Sequence, residues 1–366
     1  KSINNLKSLN IFKNVNFEQR PSNEKNKTII DVTVEEKPTG EISLGAGYGS
    51  DGATIGFSVS ENNYLGKGIK VGTSLKITDS SIDGKFNIYN PNYNYTDRSL
   101  NGNIQSISTD KLTANGYKSN KTGVEIGTSF EFLEFSTYAP KIESYYEDMK
   151  VNSKATDALK KQKGNTFDNR FNHKFIYDKR NQKFQTSSGY IVGLLQTIPL
   201  FTGDNAFLNG VEATKYHEFD NSMLTNISFY GRMINSLSDD DVRLTNRLSL
   251  PSKRLKGFVP GAVGPKDENS WIGGNYVASI NFNSTIPYFF ENIDTADIAF
   301  FIDAANIWGV DYSSAIDDSN TIRTTTGLAA NWYTPVGPIT FSVAQPITKA
   351  STDETEFFRF NIGTTF

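Results

Sequence analysis

From Glu41 onward almost every segment of the chain has the length and side-chain alternation of a β-strand, and no other feature limits the fold as strongly. The segments run about nine to fourteen residues, the span that a strand tilted across a bilayer needs. Eleven lie near 41–49, 53–61, 67–78, 81–90, 97–108, 122–132, 134–148, 165–178, 188–198, 206–217 and 222–235. Five more follow a long connection, near 272–285, 296–308, 321–333, 337–346 and 356–366, so the expected total is about sixteen. An even count lets the two ends of one antiparallel sheet meet and pair, which removes the open backbone edge that hydrocarbon would penalise.

In the last of these strands Phe358, Phe360, Ile362 and Phe366 share one face, and Arg359, Asn361, Gly363 and Thr365 share the other. Side chains alternate across a strand, so the first face can meet lipid while the second lines a wet interior. An edge strand of a soluble sandwich is the competing reading of any single segment of this kind. Composition fits the barrel: hydrophobic residues are 37% of the chain and mean hydropathy is -0.44, yet there are 26 Phe and 17 Tyr. No run approaches the roughly eighteen apolar residues of a membrane-spanning helix, whereas a barrel strand needs only every second residue apolar.

Several function classes drop out. With no cysteine, the chain has no disulfide, thiolate metal site or catalytic thiol. A net charge of -3 without a long Lys/Arg block argues against nucleic acid as a partner. No Walker-type phosphate loop is present, so ATP is not implied, and neither a cofactor nor a metal is expected. No charged-then-apolar leader opens the chain at Lys1, so the sequence is expected to start inside a longer protein.

The first residues read differently. Ile3, Leu6 and Leu9 have helical spacing with Asn10 at a cap position, and strands are expected over 15–19 and 27–35. Pro38, Thr39 and Gly40 then break the pattern, which sets an expected boundary at about Lys37 between an αββ piece, 1–37, and the barrel, 38–366. The long connections 149–164, 236–271 and 309–320 all fall at one end of the barrel. That end is outside if the N-terminal piece is periplasmic, because such barrels keep their short turns on the periplasmic side. A short surface helix is expected over 155–159, among Lys154, Lys160, Lys161 and Lys163.

The connection 236–271 carries Arg254-Leu255-Lys256-Gly257-Phe258, then Gly264-Pro265-Lys266, and Gly273-Gly274-Asn275 follows it. Here the chain resembles the BamA-type outer-membrane β-barrel assembly proteins, whose sixth outer loop enters the lumen and presents Val-Arg-Gly-Phe near its tip. Leu255, Lys256, Gly257 and Phe258 stand at those positions. The resemblance continues in order along the chain. It includes Gly45, Gly47 and Tyr48; Asn63, Leu65, Gly66 and Gly68; Asn90-Pro91 with Tyr93; and Asp178, Arg180, Phe184, Thr186 and Gly189. Phe300-Phe301-Ile302-Asp303, with Asn306 and Trp308, looks like the strand that receives the loop tip, and Gly337-Pro338-Ile339 with 358–366 looks like the last two strands.

The resemblance implies an all-β transmembrane barrel of about sixteen antiparallel strands, preceded by a partial α+β POTRA domain over 1–37. It also implies residence in the bacterial outer membrane with the N-terminal piece in the periplasm. Its partners would be unfolded outer-membrane β-barrel clients, periplasmic accessory lipoproteins and outer-membrane lipids. Two departures stand out: Lys256 replaces the loop arginine and so lacks a planar fork, and Asn281 stands where many relatives place a carboxylate. Asp303 is therefore the expected partner of Lys256.

The first barrel strand supplies a candidate mechanism. Ile42, Leu44, Ala46 and Tyr48 form one face; Ser43, Gly45, Gly47 and Gly49 leave the other nearly bare. Glycine weakens a strand and leaves its register poorly specified, so the seam between the first strand and the last, with its own Gly363, is the expected weak point. An opened seam could accept a client strand by β-augmentation. Three other readings compete: a two-partner-secretion or translocation barrel, a passive porin, and an outer-membrane hydrolase. For the last, only His173 and His217 are available, His173 shares the face of Phe167, Phe171 and Phe175, and neither has a glycine-framed serine, so no catalytic residue is expected.

Overall fold

The computed structural model describes residues 11–22, 27–50, 52–112, 116–153, 155–183, 186–201, 203, 205–220, 222–268, 270–287, 296–313, 316, 321–334 and 337–363. An antiparallel pair, β1 (Phe12–Pro21) and β2 (Thr28–Glu36), comes first, with Phe17 opposite Val32. The helix expected to end at Asn10 lies outside the described residues, as do Phe184 and Phe366.

The barrel strands are β3 (Gly40–Gly49), β4 (Gly52–Tyr64), β5 (Ile69–Thr78), β6 (Ser81–Asn90), β7 (Ser99–Lys111), β8 (Tyr117–Leu133), β9 (Ser136–Val151) and β10 (Gly164–Asp178). They continue with β11 (Gly189–Pro199), β12 (Ala206–Glu218) and β13 (Leu224–Ser236). After a connection holding a short pair, β14 (Lys266–Asp267) and β15 (Ser270–Trp271), come β16 (Tyr276–Thr285), β17 (Ala296–Trp308), β18 (Arg323–Thr334), β19 (Gly337–Thr348) and β20 (Phe358–Gly363). Among the described residues sixteen of these strands form one closed antiparallel barrel in sequence order, with β20 returning to β3.

Alternation decides the two faces. On β3, Ile42, Leu44 and Tyr48 are 75%, 77% and 63% exposed. The apolar girdle continues outward over Ile55 and Phe57 on β4, Ile104 on β7, Ile126 on β8 and Ile142 on β9, all exposed. A continuous apolar surface of this extent is a lipid-contacting wall rather than a solvated one.

The core lies inside the barrel and to one side. Leu248, Leu255, Phe258 and Val263 of the long connection pack with Tyr230 and Ile234 of β13, Val277 of β16 and Ile307 of β17. Two element edges differ from the sequence expectation for local reasons. The strand expected from residue 272 begins at Tyr276, because Gly273 has φ +72 and Gly274 pairs with Leu248 of the long connection. The short helix runs Asp157–Lys161, later than expected, because Thr156 caps it with its hydroxyl on the Leu159 N–H.

Candidate functional site

The long connection turns into the lumen and lays 254–258 against β13, β16 and β17. Leu255 and Phe258 are buried and anchor the tip in the lumenal core. Between them Gly257 has φ +84, and a Cβ there would sit 2.8 Å from Ala344 Cβ and 3.0 Å from Thr325 Oγ1. Backbone sign and space therefore both demand glycine at this position.

The turn aims Lys256 at β17. Its ammonium lies 2.9 Å from Asp303 Oδ2, and its backbone N–H donates to the same oxygen at 3.1 Å. The other oxygen, Oδ1, accepts from Asn281 Nδ2 at 2.8 Å. Asp303 is fully buried, so these donors are what make its charge tolerable there. The same ammonium stands 4.2 Å from the centre of the Phe301 ring, a cation–π contact on the neighbouring inward position.

The planar group that Lys256 lacks is supplied two residues earlier. Arg254 stacks its guanidinium over Tyr230 at 5.1 Å and donates to Ser228 Oγ at 3.1 Å. Asn281 joins the two halves: its amide donates to the Arg254 carbonyl at 2.8 Å as well as to Asp303. Asn281 thus serves as a neutral bridge between backbone and carboxylate, a role open to an amide because it is both donor and acceptor.

Two further clamps were not visible in the sequence. Arg323 of β18 holds Asp353 through Nε to Oδ2 at 2.8 Å and Nη2 to Oδ1 at 3.0 Å, a bidentate pair with both side chains buried. Asp353 also accepts from the Gly264 N–H at 3.3 Å, tying the long connection to the segment between β19 and β20. That segment pairs directly with the tip: Val259 N–H donates to Glu354 O at 3.0 Å and Glu356 N–H to Gly257 O at 3.1 Å. No spacing signal marks Arg323 and Asp353, because they lie 30 residues apart, one at the start of β18 and the other just past the end of β19, and the pairing of those two strands brings them together.

The second clamp sits at the base of the connection, where Asp311 pairs with Arg247 and accepts from the Val242 N–H at 2.9 Å and Asn275 Nδ2 at 3.1 Å. Burial alone would raise the Asp311 pKa; the Val242 and Asn275 hydrogen bonds and the Arg247 charge outweigh it and hold it below the usual 3.8. A carboxyl group with a depressed folded pKa contributes stability above its unfolded value, and loses it as pH falls through the folded value. Val242 amide protection, corrected for intrinsic exchange, is therefore expected to stay flat from neutral pH down to the ordinary carboxylate range and to fall only below it. Asp311→Asn should remove that acid step; an unchanged step in the variant would assign it to another group.

The seam lies beside the loop tip: Ser252, Lys253 and Lys256 of the loop line one lumenal cavity with Gly47, Gly49 and Asn361. Strand β3 pairs with β4 along its whole length, from Gly40 opposite Glu61 to Gly49 opposite Gly52. Its other edge meets β20 only at Gly49–Asn361, Tyr48–Ile362 and Gly47–Gly363 among the described residues. Beyond those pairs, Ser50 N–H donates to Phe360 O at 3.0 Å, and the Tyr48 and Phe360 rings meet at 6.1 Å on the outer side. Gly47 and Tyr48 thus lie in the seam itself, while Gly45 lies on the β3 edge beyond the last described pair. On β20, Phe358 and Ile362 are exposed and Arg359 turns inward, where it bonds Glu356 Oε1 at 2.5 Å.

Each histidine sits against an aromatic ring. His173 Nε2–H donates to Gln196 Oε1 at 2.9 Å and stacks on Phe171; His217 meets the edge of Phe219 at 4.6 Å.

Comparison with known proteins adds the following. The Omp85 superfamily domain matches residues 63–366. Among curated proteins, the outer membrane protein assembly factor BamA of Neorickettsia risticii is 24% identical over 98% of this chain and 49% of its own length. That of Neisseria meningitidis serogroup B is 23% identical over 100% of this chain and 52% of its own length. The chain thus spans about half the length of the curated relatives it matches. Among solved structures, BamA from Haemophilus ducreyi lacking POTRA domains 1–3 superposes with a TM-score of 0.85 at 22% identity, covering 99% of this chain and 77% of that one. That likeness describes the fold.

Proposed function

The chain belongs to the Omp85 superfamily, and from that premise we propose that it is the barrel of an outer-membrane protein assembly factor, inserting unfolded β-barrel clients through the seam between β3 and β20. The observation that carries the reading is the seam itself: one edge of the glycine-faced strand β3 meets β20 through Gly49–Asn361, Tyr48–Ile362 and Gly47–Gly363 among the described residues. In hydrocarbon each unpaired backbone group costs several kcal/mol, so simply breaking the seam is slow. Exchange of one strand for another keeps the groups paired throughout and avoids most of that cost. A client strand pairing with β3 would start such an exchange, and burial of the client's own apolar surface would drive it without ATP.

In this reading β1, β2 and the residues before them are the C-terminal part of a POTRA domain on the periplasmic side, where accessory lipoproteins would also bind. The lumenal loop, held by Lys256–Asp303 and Arg323–Asp353, keeps the rest of the wall in register while the seam opens. The test is insertion of an unfolded outer-membrane barrel into liposomes, scored as protease-protected folded client. Vesicles holding the protein are expected to accelerate insertion at least tenfold over empty ones. Equal rates together with steady ion conductance would favour a passive pore instead.

A further inference from the structure

The lipid-facing wall opposite the seam carries a row of polar side chains that neither the loop nor the seam uses. One register line crosses it: His173 of β10 faces Gln196, Gln196 faces Asn209, Asn209 faces Met233, Met233 faces Tyr276, and Tyr276 faces Trp308. The line is on the outer face, since Phe167, Leu194 and Met233, which share that face on their strands, are 56%, 48% and 42% exposed. Three polar side chains in succession on such a face are costly in hydrocarbon unless their hydrogen-bonding groups are used.

Their bonds have a direction. His173 Nε2–H donates to Gln196 Oε1 at 2.9 Å, and Gln196 Nε2–H donates to Asn209 Oδ1 at 2.6 Å. Each bond polarises the next, so the amide N–H groups of Asn209 are the strengthened end of a donor chain. They find no acceptor among the described residues, because the next position in the row is Met233. Beside them a groove of about 510 Å³ opens, with Leu194, Val211 and Met233 as apolar walls.

The position of the groove identifies what fits it. Tyr276 and Trp308 stack at 5.7 Å at the barrel end that bears the long loop, the place where amphipathic rings mark the membrane interface. Asn209 is three positions in from the same end of β12, roughly 10 Å along the strand at about 3.4 Å per residue. With barrel strands tilted by about 40°, this is roughly 7–8 Å of depth, just below a headgroup, where the acyl carbonyls of a membrane lipid are found. We propose that this groove binds one membrane lipid of the leaflet at the loop end. An acyl carbonyl of the lipid accepts from Asn209, and the chain beyond it runs along Leu194 and Val211 toward Phe175. The required chemistry is a carbonyl acceptor joined to an alkyl chain, which an ester- or amide-linked lipid has and an ether-linked lipid lacks.

The test compares two lipids on the full chain in nanodiscs: a diester phosphatidylethanolamine and its diether analogue with the same headgroup and chains. Retention is read by native mass spectrometry after detergent exchange. The wild-type protein is expected to retain the diester about fivefold better, the factor that one neutral hydrogen bond supplies. Asn209→Leu should erase the preference without changing the heat-induced gel shift that reports barrel folding. A photoreactive side chain at position 233 should cross-link to lipid. Equal retention of the two lipids by the wild type would overturn the proposal, as would a preference that survives Asn209→Leu. Cross-linking of position 233 to a protein would also overturn it and assign the groove to a polypeptide partner.

Discussion

A disulfide between Gly47→Cys and Gly363→Cys is expected to reduce client insertion to the rate of empty vesicles while leaving the barrel folded, and reduction is expected to restore it. The two positions face each other directly in the β3–β20 register. Opposed residues of an antiparallel pair have Cα atoms about 4.5–5.5 Å apart, within the range a cystine spans. Neither glycine has a side chain to lose, so the change adds a covalent link and little else. The expected effect is large because the proposal routes every client through this one edge. Undiminished insertion by the oxidised protein, with full cross-linking shown on a gel, would remove lateral opening from the mechanism. The same cysteines placed across β3 and β4, at Gly45 and Gly56, provide the control, since those residues are also opposed but lie within one hairpin.

Replacing Gly257 by valine is expected to destabilise the seated loop by roughly 3–5 kcal/mol, combining a side chain at positive φ with overpacking. The φ of +84 and the 2.8 Å approach of Ala344 leave the new side chain no relaxed position. Withdrawal of the tip would also strip Asp303 of the Lys256 ammonium and backbone N–H, leaving a buried carboxylate with only Asn281. The midpoint of the heat-induced gel shift should fall and client insertion should drop severalfold. Gly257→Ala, with a smaller side chain, should show the same change to a lesser degree. A valine variant with unchanged midpoint and insertion rate would mean that the tip is not part of the working assembly.

The barrel was legible strand by strand because a lipid-facing wall imposes alternation on each segment independently. Ile42, Leu44 and Tyr48 could be assigned outward without knowing what lay beside them, and they are outward. Register is a different kind of information. That β20 meets β3 through Tyr48–Ile362 and its two neighbours depends on how the sheet closes, and no local pattern encodes it. The lumenal contacts divide in the same way. The expectation that Lys256 meets Asp303 came from a family resemblance, and the structure sets the two groups 2.9 Å apart. Arg323 and Asp353 carried no such mark, since a buried bidentate pair looks, in sequence, like two ordinary charged residues. Arg254 was singled out as part of the motif, but its stacking on Tyr230 follows from the path of the turn and was not foreseen.

The off-centre position of the lumenal core has a mechanical consequence. Leu255 and Phe258 bind the loop to β13, β16 and β17, while the inward face of β3 offers Gly45, Gly47 and Gly49 with nothing to grip. A closed ring with uniform walls would spread any imposed deformation around its circumference. This ring has one stiff arc, splinted from within, and one compliant arc that ends at the β3–β20 joint. Bilayer tension or the tug of a folding polypeptide would therefore be concentrated at the joint, in the way a split bushing yields at its slit.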